Sequence, residues 1–224
     1  AEDYQGALVP NLALYTNGAW RSTADSWTGL SSAPHDPTPQ NIVGGALCRL
    51  GYVPSVQVFR CPADRATVRD LRGQDLGIAR TRSYGMNGNL GGRTNEAQAT
   101  VTHQFQIRNP SQLFVLIDEH ADSIDDGHFL VWSMPDDRWV NLPADRHRQG
   151  CNLTFADGHA EHWRWQAPKS FHPKQSYWKK ASDPGDLRDL KRVQSVVLAS
   201  GNKTKITQRR HERKCNNEVE GGVC

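Results

Sequence analysis

The stretch Arg146–Trp165 reads RHRQGCNLTFADGHAEHWRW. Cys151, Leu153 and Phe155 alternate with other residues at the period of a half-buried strand, and Asp157-Gly158 is a turn signal. A second strand then runs to Trp163-Arg164-Trp165, so the stretch spells a β-hairpin. Loop length decides its register. A two-residue loop would put Trp163 and Trp165 on the face opposite Leu153 and Phe155, whereas a three-residue loop, Ala156-Asp157-Gly158, puts all four on one face. The apolar pattern therefore favours a type I turn with Gly158 left-handed in a bulge. Upstream sits His147, with nine residues between it and Asp157.

Outward from the hairpin, Leu113–Ile117 is a compact apolar run that reads as a central strand covered on both faces, and it delivers Asp118-Glu119-His120 at its end. Phe129–Trp132 reads as another strand, and the alternation of Val101, His103, Phe105 and Ile107 as a third. Leu187, Leu190, Val193 and Val197 share one helical face behind a cap at Ser182 or Asp183. Residues 41–50 suit a short helix stopped by Gly51, and residues 1–41 read as loop anchored by Trp20 and Trp27. The expected fold is α+β, with an antiparallel sheet centred on 113–117, 129–132 and the hairpin.

At 224 residues and 37% hydrophobic, the chain can bury a core. Its longest apolar runs, Phe114–Ile117 and Val196–Ala199, are far short of the about 18 residues a membrane span needs. Charge is unevenly spread. Residues 1–168 hold 14 basic and 18 acidic side chains, whereas residues 169–214 hold 13 and 4. The expected organisation is a head over residues 1–165 and a basic carboxy-terminal extension over 166–224. Such a tail could meet an anionic partner, but no recognition motif accompanies it, so nucleic acid is not expected. Gly85-x-x-Gly88-x-x-Gly91 lacks the Lys-Ser/Thr of a phosphate loop.

Three groups of residues invite chemistry. Cys48 with Cys61 and Cys215 with Cys224 are candidate disulfide pairs, leaving Cys151 over, and an oxidising compartment would fit them. Asp118, Glu119, Asp122, Asp125 and Asp126 form an acidic stretch without a local cation, a candidate calcium site that fails the EF-hand pattern at Ile124 and Ser133. His147 and Asp157, with His120, His159 and Glu161, could make an acid/base or metal arrangement. No nucleophile stands in a recognisable setting beside them, and the structural alternative gives Asp157 to the turn and His147 to the hairpin's loop. No enzymatic activity is expected. The rival class, drawn from seven Trp, five Tyr and six Phe and the acidic loop, is a secreted glycan-binding module or a metal-dependent hydrolase.

The pattern R-H-x-x-G-x-N-x-x-F-A-D-G-H, carried by His147, Gly150, Asn152, Phe155, Asp157 and Gly158, resembles the carboxy-terminal signature of bacterial prepilin-type proteins that share a His-x9-Asp-Gly motif. Other pieces follow in the order of that family: Ala1–Gly6, Phe59-Arg-Cys-Pro-Ala-Asp64, Ser83-Tyr-Gly-Met-Asn-Gly88, and Pro110-Ser111 leading to Asp118-Glu119. The likeness covers roughly residues 1 to 165. It implies a pilin-like globular head whose amino-terminal transmembrane helix is missing from these residues. It also implies a structural role at the cell surface, in a filament or a type II secretion-like apparatus, with copies of itself or other pilin-like subunits as partners. Membrane contact would come only through that helix, and some secretion pseudopilins carry calcium in loops. Either the helix has been removed, or the resemblance concerns fold and not filament assembly.

Overall fold

Phe114–Ile117 is apolar throughout, and the chain buries it in the middle of the main sheet. The computed structural model of the protein describes residues 4–92, 100–132, 134–170 and 179–197. Its strands are β1 (Ala13–Thr16), β2 (Ala19–Ser22), β3 (Thr67–Arg69), β4 (Asp75–Ala79), β5 (Tyr84–Asn87), β6 (Phe114–Asp118), β7 (His128–Phe129), β8 (Arg138–Trp139), β9 (Gly150–Phe155), β10 (Ala160–Arg164) and β11 (Lys179–Lys180). Its α-helices are α1 (Gln40–Gly44), α2 (Ala46–Arg49) and α3 (Pro184–Gln194). The content is α+β. Five strands form the sheet β10-β9-β6-β5-β7, antiparallel except for β5 with β7, and β1-β2, β3-β4 and β8-β11 are separate pairs. No helix among the described residues is long and apolar enough to cross a membrane.

The hairpin has the three-residue loop. Trp163 lies opposite Cys151 and Glu161 opposite Leu153, so Cys151, Leu153, Phe155 and Trp163 share the buried face. Gly158 N–H donates to the Phe155 carbonyl, Phe155 N–H to the His159 carbonyl, and Gly158 takes φ +94°, the bulged type I geometry. Trp165 is buried beside Trp163.

The core crosses the boundary expected at residue 165. Leu190, Val193 and Val197 of α3 and the turn after it are fully buried in one cluster with Phe114, Leu153, Trp163 and Trp165. Asp183 caps α3, its Oδ1 accepting from Gly185 N–H at 2.7 Å and Asp186 N–H at 3.0 Å. Lys169, well ahead of the helix in sequence, is sealed in, its Nζ 2.8 Å from Asp186 and 2.7 Å from Asp189. The described residues up to Val197 therefore share one core with the sheet.

Three expected elements differ. Residues 13–22 are a hairpin, turned by Asn17 and Gly18 at φ 51° and 76°, and only Trp27 of the two anchoring tryptophans is fully buried. The helix expected over 41–50 is two short ones. Gly45 is extended between them because its backbone abuts that of Trp27, Thr28 and Gly29, which leaves no room for a side chain. Val101–Ile107 makes only single bridges, Leu90 to Val101 and Ala7 to His103, before a 3-10 turn over Gln104–Gln106.

Candidate functional site

The nine residues between His147 and Asp157 are a measure of length. Arg148 and Gln149 form a turn, Gly150–Phe155 is the whole of β9, and Ala156 opens the next turn. A six-residue strand spans about 20 Å, so the two ends of the pattern sit far apart. Asp157 takes the turn role, its Oδ1 accepting from His159 N–H at 3.2 Å and lying 2.5 Å from His159 Nδ1. His147 does not meet the hairpin's loop, which is at the other end of β9. Gly150 is required by the close approach of β10: a Cβ there would collide with the Trp163 carbonyl and come 2.9 Å from His162 Nε2, which bonds the His147 carbonyl at 3.0 Å. Asn152 faces outward and Phe155 inward.

His147 turns instead toward the segments that precede it in sequence. Arg148 and Gln149 both take left-handed φ, 53° and 56°, which reverses the chain between His147 and β9. Its Nε2 lies 3.2 Å from Cys61 Sγ and 3.3 Å from Asp118 Oδ2. Cys61 is held by its N–H, donated to Ser83 Oγ at 3.1 Å, and the Ser83 hydroxyl donates to Asp64 Oδ2 at 2.6 Å. Glu119 N–H donates to the Ser83 carbonyl at 2.9 Å. Arg146 closes the ring: it donates to Asp118 Oδ1 and, at 2.8 Å, to the Glu119 carbonyl, and sits 3.7 Å from Asp64 Oδ2. Residues from Phe59–Asp64, Ser83–Gly88, the end of β6 and Arg146-His147 thus meet at one place.

Electrostatics there are set by burial. Asp118 is fully buried and its carboxyl is pushed up to about 7, Arg146 offsetting part of the desolvation. Burial lowers His147, with Arg146 and His162 adding to it, and raises the Tyr84 phenol to about 12, with the neighbouring Cys61 and Asp118 adding to it. Asp118 Oδ2 has no hydrogen-bond partner although His147 Nε2 is only 3.3 Å away.

The Cys48–Cys61 disulfide is not formed: both are free thiols, Cys48 packed against the Trp27 cluster and Cys61 beside His147. Cys215 and Cys224 lie outside the described residues. The five acids do not gather around one point. Asp118 faces His147, Asp122 pairs with Arg69 at 3.4 Å, and Glu119 Oε1 accepts from Asn141 at 2.7 Å and Ser123 at 3.1 Å. Asp126 Oδ1 accepts from His128 N–H, and the Asp125 carboxylate from Asp126 N–H. The buried Arg82 guanidinium, donating to the Asp125 and Asp126 carbonyls, supplies the cation that the sequence between 118 and 137 lacks. Among the described residues, the one trio whose ligand atoms fall within 4.8 Å of one another is Cys61, Asp118 and His147.

That trio does not have the relay geometry of a Cys-His-Asp nucleophile. In a relay the carboxylate holds one imidazole nitrogen while the other takes the thiol proton. Here sulfur and carboxylate both address Nε2. Cys61 was hidden from sequence reasoning by its 86-residue separation from His147, and its nearest signal was its place in Arg60-Cys-Pro-Ala-Asp64. The chain matches no protein-family model, no curated protein and no solved structure.

Proposed function

We propose that the chain is the globular head of a pilin-like or pseudopilin-like structural subunit of a cell-surface filament or type II secretion-like apparatus. The observation that carries this reading is the convergence just described. Four stretches that resemble the prepilin-type pattern, spread from Phe59 to His147, meet in one buried polar knot under the hairpin. Residues tied to one another in such a knot serve the fold first, as a scaffold's do. Burial of Trp27, Trp139, Trp163 and Trp165 supports the same reading over a glycan-binding one, since sugar stacking needs exposed ring faces. In this reading the partners are other copies or other pilin-like subunits, and an apolar helix preceding Ala1 anchors the head.

The test is the intact mass and amino-terminal sequence of the native protein from membrane, surface and soluble fractions. A longer species with an apolar helix ahead of Ala1, sedimenting with filaments, is the expected result. A native monomer free of membrane and filament would overturn it.

A further inference from the structure

We propose that Cys61, Asp118 and His147 form a binding site for a single borderline-soft divalent transition metal ion of the zinc class. The case rests on this cluster's geometry and stands apart from the filament reading. Sulfur, nitrogen and carboxylate oxygen are the donor types zinc takes, and hard calcium does not favour a thiolate. An ion at ordinary zinc bond lengths and tetrahedral angles holds S and N about 3.6 Å apart, and O and N about 3.4 Å apart. The observed separations are 3.2 Å for Cys61 Sγ to His147 Nε2 and 3.3 Å for Asp118 Oδ2 to the same atom.

Without a cation the arrangement is poorly satisfied. One proton on Nε2 can serve only one of its two neighbours well, and Asp118 Oδ2, like Glu119 Oε2 beside it in sequence, is a buried carboxylate oxygen left without a hydrogen bond. An ion accepts all three lone pairs at once. The surrounding shell is already set for it: Arg146 holds Asp118 Oδ1 so that Oδ2 points into the cluster, and Cys61 is fixed through Ser83. The His147 side chain is 27% exposed, which gives the ion an entry path and a fourth position for water. Bound there, the ion would tie the 59–64 loop, the end of β6 and the turn before β9 together.

The experiment uses the full chain, stripped with a chelator and titrated with Zn²⁺ by calorimetry and with Co²⁺ by absorption. Expected are one site, a rise in melting temperature with Zn²⁺, and a near-ultraviolet thiolate-to-cobalt charge-transfer band. Cys61→Ser and His147→Gln should each weaken Zn²⁺ binding by at least about 100-fold, more than changes around a metal site usually do. The double variant Cys215→Ser, Cys224→Ser should bind like the parent. The cobalt band is read on the unaltered chain, so a variant that fails to fold does not block the test. No binding, binding without a thiolate band, or a band that survives Cys61→Ser would overturn the assignment.

Discussion

Gly150 shows how a single residue is fixed by its neighbour across the sheet. The Trp163 carbonyl occupies the space its Cβ would take, so Gly150→Ala must push two paired strands apart. A loss of about 1–3 kcal/mol, the usual cost of overpacking, is expected in urea unfolding. His159 is the residue with the clearest pH signature. Its hydrogen bonds to Asp157 and then Glu161 raise it above the ordinary histidine value, and the same bond lowers Asp157. The histidine contribution to stability is complete below about pH 6.5 and fades as pH rises through its raised value. That of Asp157 is present above about pH 3.9 and fades as pH falls through its lowered one. An NMR titration should find His159 above 6.5, and Asp157→Asn should bring it down; an unmoved His159 would assign the shift elsewhere.

At the scale of elements, the hairpin and α3 were legible because each carries two agreeing local signals: period-two apolar residues with Asp157-Gly158, and a period-3.6 face with a capping Asp183. Asp183→Ala should cost about 1 kcal/mol of stability, measured by denaturant midpoint. The β1-β2 hairpin has four-residue strands in a polar stretch, and only Asn17-Gly18 marks it. Val101–Ile107 has the strand alternation but, among the described residues, only isolated bridges beside it; the Gln106 side chain accepts from Thr102 N–H at 2.8 Å and His103 N–H at 2.9 Å and bends the segment. Cys61, Asp118 and His147 each stand in a stretch singled out in the sequence, but their meeting was not legible, since three elements distant in sequence build the cluster and no spacing rule joins them.

For the molecule as a whole, the sheet and α3 share one core, so they should unfold as one cooperative unit. Lys169→Met would leave Asp186 and Asp189 buried without their cation, at about 3–5 kcal/mol, and Leu190→Ala should cost about 2–5 kcal/mol. Each should lower a single thermal transition seen alike by near- and far-ultraviolet circular dichroism; two separate transitions would mean the helix docks independently. The position of α3 also bears on biosynthesis. Chains are made from the amino terminus, so Trp163 and Trp165 leave the ribosome before Leu190, Val193 and Val197, the side chains that share their core. Until those residues follow, the nascent sheet presents an uncovered apolar face, which is the interval in which a chaperone would have something to hold.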